Sequence, residues 1–217
     1  MSWKWCIGPA VVASVVLTGP LRADVRPNVV MILADDQTYS DFGFMGNELV
    51  RTPHIDRLAE RSARYVNGYV PSSVCRPSLA TLLTGLYPHE HGIHFNHPPP
   101  GNSRLNKMAS GDYYAARAEA ERLFARNRRL PEILARHGYD SLQTGKFWEG
   151  HWRNGGFTEG MTTGRAAGVP GCWDKTLPDG VTVAHGNGDI GLIIGRVTME
   201  PIVEFLDGHA GPDAAPF

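Results

Sequence analysis

The sequence is poor in cysteine, with only Cys6, Cys75 and Cys172 among 217 residues. Three thiols build no disulfide framework, so a small stapled scaffold is excluded. Long apolar runs are scarce as well, which excludes a polytopic membrane protein. An excess of one charge is also missing. The formal net charge of −1 argues against a nucleic-acid groove or an acidic-membrane binder. No internal repeat is visible. What is present, 42% hydrophobic and 20% charged residues, is the composition of a globular chain and not of a disordered or collagen-like one. The length fits one domain, or two.

Residues 1–23 read as a signal peptide. Lys4 gives a positive start, Ile7 to Leu17 form an apolar stretch, and Gly19-Pro20 breaks it before Leu21-Arg22-Ala23 offers a small residue for cleavage. A spanning helix needs about 20 apolar residues, so this run is too short for an anchor, and no membrane span is expected once it is removed. Removal takes Cys6, Lys4 and Arg22 with it and brings the formal charge to −3. The expected location is periplasmic or secreted.

From there the chain alternates strands with helices. Val29-Val30-Met31-Ile32-Leu33 is the β-branched run expected of a strand buried on both faces, and it ends at Ala34-Asp35-Asp36. Thr52-Pro53 opens a helix to about Arg64, with Ile55, Leu58 and Ala59 on one face. Tyr65 to Val70 suggests a second strand. Arg76-Pro77 begins another helix, with Leu79, Leu82 and Leu83 at helical spacing and Gly85 at its C-cap. Residues 96–112 read as a loop. A basic helix follows from about Tyr114 to Arg128, then a short one from Pro131 to Gly138. Tyr139 to Gln143 is a strand candidate ending at Thr144-Gly145-Lys146. Glycine-rich loops are expected from Gly150 to Gly195, and a last helix from Arg196 to Leu206. This order implies an α/β layer on a largely parallel sheet, whose sites form at the strands' carboxyl ends.

Three such ends carry chemistry. The carboxylates of Asp35 and Asp36 suit a hard cation, although a turn with an Asp cap gives the same dipeptide. Cys75 stands at a helix start, where free N–H groups and the helix dipole favour an anion; a buried structural cysteine is the alternative. Lys146 after its turn offers a point charge for sulfate or phosphate, or else a solvated loop residue.

In this order the segments resemble one family. Cys75-Arg76-Pro77-Ser78-Leu79-Ala80-Thr81-Leu82-Leu83-Thr84-Gly85 is similar to the type I sulfatase signature, Cys-x-Pro-Ser-Arg followed by an apolar helix and Thr-Gly. Residues 26–36 resemble the opening strand of that family, residues 52–58 its next helix, and Leu130 to Tyr139 with Thr144-Gly145-Lys146 its third landmark. The resemblance covers about residues 26–148. It implies an alkaline phosphatase-like α/β fold, with helices on both faces of a central, mainly parallel sheet. It also implies a sulfuric ester hydrolase whose cysteine is converted to formylglycine by a formylglycine-generating enzyme. One hydroxyl of the hydrated aldehyde attacks sulfur, giving a sulfated enzyme and releasing the alcohol, and the other helps expel sulfate by regenerating the aldehyde. By the same resemblance Ca2+ is held by Asp35, Asp36 and the modified Cys75, and Lys146 binds sulfate. The substrate implied is a sulfated small molecule or polysaccharide, the latter suggested by export and by Trp148, Trp152 and Trp173.

The pattern departs in three places. Leu79 stands where the family has arginine, one turn after the nucleophile and within the motif that maturation reads; Arg76, pointing elsewhere, is a poor substitute. Trp148 takes the place of the usual histidine, with His151 beyond it. The family's second pair of metal ligands comes late in the chain, and nothing after residue 150 supplies it. Residues 24–217 therefore read as the N-terminal portion of a sulfatase catalytic domain. Phosphodiester or phosphonate hydrolysis fits the same geometry, and a non-catalytic binding protein fits Leu79.

Remaining features have plainer readings. His89, His91, His94 and His97 lack a cysteine or acid at ligand spacing, so a loop near the pocket is expected and not a zinc site. Arg122, Arg126, Arg128 and Arg129 suggest a solvated helix face.

Overall fold

A computed structural model describes residues 26–98, 108–162, 175–176, 178–180, 182–183 and 199–217. The expected signal peptide, Cys172 and Trp173 lie outside the described residues, as does most of the glycine-rich stretch. Six helices are described: α1 (Pro53–Glu60), α2 (Cys75–Thr84), α3 (Pro88–His91), α4 (Ser110–Ala125), α5 (Leu130–Ala135) and α6 (Glu200–Gly208). Four short strands accompany them: β1 (Leu142–Gln143), β2 (Glu159–Gly160), β3 (Lys175–Thr176) and β4 (Thr182–Val183).

Prolines and glycines set the helix limits as expected. Pro53 and Pro131 enter the first turns of α1 and α5, where a missing N–H costs nothing. Gly85 closes α2 at φ +71°, a left-handed conformation that glycine adopts without a Cβ penalty. Helix α1 stops at Glu60, four residues short of the expected Arg64. Helices α4 and α6 each begin or end a few residues away from the sequence-based limits, as terminal turns commonly do.

The strands are where expectation and structure part. Strand β1 pairs with β2 in parallel, Leu142 against Glu159 and Gln143 against Gly160. Thus the carboxyl half of the expected strand at 139–143 forms a ladder. Residues 29–33 form none, and their side chains are 52% to 75% exposed instead of buried on both faces. Val29 N–H donates to the Phe217 carbonyl, and the neighbouring Pro216 carbonyl accepts from Asp140 N–H. The last two residues therefore lie between the 28–29 and 139–140 segments. One bond on each side is too little for a ladder, because a strand is completed by its neighbours and not by its own sequence. Residues 65–70 likewise form no strand, and Tyr65 and Tyr69 stand about nine-tenths exposed.

The core lies around α2 and α4. Ala80, Ile93 and Phe124 are buried together with Leu83 packed against them. Gly92 lets α4 approach closely, since a Cβ there would come within 2.9 Å of Leu123 Cδ2. No helix among the described residues is long and apolar enough to cross a membrane.

Candidate active site

The structure brings Asp35, Asp36, Cys75 and Lys146 together from three separate segments. Asp36 takes φ +55°, alone among the described non-glycine residues in having positive φ. Asp tolerates this left-handed conformation better than most residues, at a cost of about 1 kcal/mol. The reversal there accompanies a compact group: one ligand atom each from Asp35, Asp36 and Cys75 lie within 4.8 Å of one another. Both carboxylates are exposed and Cys75 is half-buried.

Cys75 is the first residue of α2, and Val74 before it provides no side-chain cap. One orphan N–H group of the first turn is met from elsewhere. Asn96 Oδ1, buried in the loop after α3, accepts from Arg76 N–H at 2.8 Å. Ser78 Oγ turns back to donate to the Ser72 carbonyl at 2.6 Å. These bonds fix the turn that presents the Cys75 sulfur.

Lys146 follows β1 through Gly145, whose φ of +74° makes the bend. Its Nζ donates to Asp35 Oδ2 at 2.7 Å and to Cys75 Sγ at 3.4 Å. The same ammonium lies 5.4 Å from the centroid of the Trp148 ring, within cation–π range. Burial pulls the ammonium pKa down, but the hydrogen bond and charge of Asp35, with Cys75 beside it, outweigh that and raise it above the ordinary lysine value.

A second layer of buried charge lies behind this group. Arg76 meets Glu149 through Nε at 2.8 Å and Nη2 at 2.6 Å. Arg117 of α4 donates to the carbonyls of Asn96 and Trp148 and to Glu121 Oε1. Burial, then the nearby Arg76 charge, lowers the Arg117 pKa, though a guanidinium keeps its proton throughout the working range. Sequence reasoning missed this layer. Arg76 points away from the nucleophile as expected, but its destination, a glutamate 73 residues later, has no local signal.

Other candidates separate. His151 receives Arg153 N–H on its Nδ1 at 3.1 Å and packs against Trp152, so it caps a short 3-10 turn (Trp152–Gly155). The four histidines do not assemble. His91 is buried with Nδ1 accepting from Ile93 N–H and Nε2 3.2 Å from Thr81 Oγ1, while His97 is held by the Tyr113 hydroxyl at 3.0 Å. Desolvation lowers the His91 pKa. Arg122 and Arg126 are solvated, paired with Glu119 on α4. Trp148 is buried, not a surface platform.

The sequence has clear parallels among known proteins. A family model described as Sulfatase matches residues 27–188, and the chain belongs to that family. It is 42% identical to the ulvan-active sulfatase of Formosa agariphila over 72 residues, covering 33% of this chain and 14% of that one. It is 32% identical to human N-acetylgalactosamine-6-sulfatase over 133 residues, covering 61% and 24% respectively. The crystal structure of Ps i-CgsB is 30% identical, with a TM-score of 0.48 over 64% of this chain and 28% of that one. The chain thus spans a quarter or less of these curated relatives' length.

Proposed function

We propose that the protein is a sulfuric ester hydrolase whose nucleophile derives from Cys75. One observation carries this reading: a single ammonium, Lys146, contacts both the cysteine sulfur at a helix start and a carboxylate of the adjoining pair. Formylglycine made from Cys75 by a formylglycine-generating enzyme would supply the attacking oxygen. Lys146 would hold a sulfate oxygen and offset the charge that builds on it, as preorganised cations do in such sites. The dipole at the N-terminal end of α2 acts in the same sense.

The residues also fit Ca2+. Oxygens bound to one calcium at about 2.3–2.6 Å lie at most about 5 Å apart, and the ligand atoms of Asp35, Asp36 and Cys75 fall inside that span. A thiol is a soft ligand, so the oxygen of a converted Cys75 would suit calcium better. When bound, the ion would lower the cost of an alkoxide and polarise the sulfate.

Export through residues 1–23, to the periplasm or outside the cell, is part of the same reading. A sulfated carbohydrate is the proposed substrate. Relatives named for ulvan and for N-acetylgalactosamine support that choice. Phosphodiester or phosphonate hydrolysis would use the same groups. Leu79, half-buried one turn after Cys75, favours the second reading of a non-catalytic binding protein.

Peptide mass spectrometry across Cys75, after co-expression with a formylglycine-generating enzyme, tests the nucleophile. An aldehyde supports the hydrolase; free thiol alone supports the binding protein. Turnover of an aryl sulfate beside an aryl phosphodiester then separates the two hydrolases, and faster phosphodiester cleavage would overturn the sulfatase assignment.

A further inference from the structure

Two bridges join the segment after β1 to the start of α2. Lys146 reaches Cys75, and three residues later Glu149 reaches the next residue of the helix, Arg76. The second bridge is the more enclosed, with side chains 2% and 4% exposed. Asn96 ties it to the surrounding loop, accepting from Arg76 N–H while its own carbonyl accepts from Arg117. Arg117 also donates to the Trp148 carbonyl and stands 5.4 Å from the Trp148 ring centroid. Residues 148 and 149 are therefore each held by an arginine from a different helix.

A buried ion pair is a weak source of stability, because stripping two charges of water offsets most of their attraction. An apolar pair of similar volume often serves the fold as well. What an apolar pair lacks is direction. A guanidinium fork meets a carboxylate in one plane and at one distance.

We infer that Arg76 and Glu149 are positioning residues that set the Lys146 ammonium against the Cys75 sulfur. The inference goes beyond the hydrolase reading and concerns the unconverted thiol, so its outcome is separate from that of the conversion test. The bridge fixes the helix residue after Cys75 to the loop residue three past Lys146, so both ends of the Lys146–Cys75 contact hang from it.

The test uses the unconverted full chain. Iodoacetamide alkylation of Cys75 at about pH 7.5 is followed by peptide mass spectrometry, so that Cys6 and Cys172 do not contribute, and a melting curve is recorded beside it. The Lys146 ammonium, 3.4 Å from the sulfur, offsets the negative charge that the reacting sulfur carries, so Lys146→Met slows alkylation. The double variant Arg76→Met with Glu149→Leu is expected to keep its melting temperature yet slow alkylation by at least about threefold. In a Lys146→Met background the same pair of changes is expected to add nothing, because its effect runs through the ammonium. The reversed pair, Arg76→Glu with Glu149→Arg, is expected to recover part of the rate. An unchanged or faster rate in the folded double variant overturns the inference, and so does equal slowing without Lys146. Should the double variant fail to fold, Arg76→Lys, which keeps the charge but loses the two-pronged fork, decides by the same two rates.

Discussion

The ammonium of Lys146 donates to Asp35 Oδ2 at 2.7 Å although 111 residues separate the two in sequence. The bond spans the ends of two segments expected to be strands, and it brings the only grouped cation–thiol–carboxylate chemistry among the described residues to one place.

Lys146 should matter for turnover far more than a surface lysine would. In the turnover-competent protein, Lys146→Ala is expected to lower kcat/KM on an aryl sulfate by about 10²–10³, the usual loss for a preorganised charge-stabilising group. Lys146→Arg should retain part of the rate. Because its folded pKa lies above the ordinary lysine value, the stability contributed by the charged form is complete below about pH 10.4 and is lost as pH rises through the folded pKa. Alkaline melting curves of wild type and Lys146→Met would show this: the variant should lack that alkaline loss.

Calcium should raise the melting temperature of the folded chain, and a chelator should reverse the rise. At a concentration about 100 times its dissociation constant the ion would contribute about 2.7 kcal/mol. Asp36→Asn removes a carboxylate without changing shape. The rise should shrink or vanish in that variant, and a full rise in it would remove Asp36 from the ligand set.

His91 gives the fold an acid-side sensitivity. Its Nδ1 accepts a backbone N–H and it is buried, so the neutral ring is the folded form. A folded pKa below the unfolded value means that stability is present above about pH 6.5 and declines as pH falls toward the folded value. Melting temperatures between about pH 7.5 and 5.5 should fall for wild type and change less for His91→Asn, whose side chain keeps an acceptor.

Two glycines separate conformational strain from crowding. Gly85 at φ +71° has nothing within 4 Å of an added Cβ, so Gly85→Ala should cost about 1 kcal/mol from backbone conformation alone. At Gly92, φ +76° is joined by Leu123 at 2.9 Å, so Gly92→Ala should lower the melting temperature more. Equal losses in a thermal scan would show that Leu123 simply moves aside.

Three helix limits were legible because each has a local cause: Pro53 and Pro131 at first turns, Gly85 past a last one. The grouping of Asp35, Asp36, Cys75 and Lys146 was legible only through the ordered resemblance, since each motif alone has an ordinary explanation. Residues 29–33 show the opposite case. Their apolar run is real, but burial and pairing require neighbours that a run cannot specify. Arg76 shows a third case. Helical geometry said where its side chain would not go, while the partner that receives it depends on how the chain returns 73 residues later.

The Arg76–Glu149 contact also bears on how such a site can be inherited. Losing one partner strands the other charge in the interior, at about 3–5 kcal/mol, a large part of the whole stability of a domain. A lineage carrying this pair can hardly lose arginine at 76 first and glutamate later, or the reverse. It must change both together, or pass through an intermediate that keeps both charges, such as lysine at 76. Descendants should therefore differ at these two positions in concert, however freely the exposed positions around them drift.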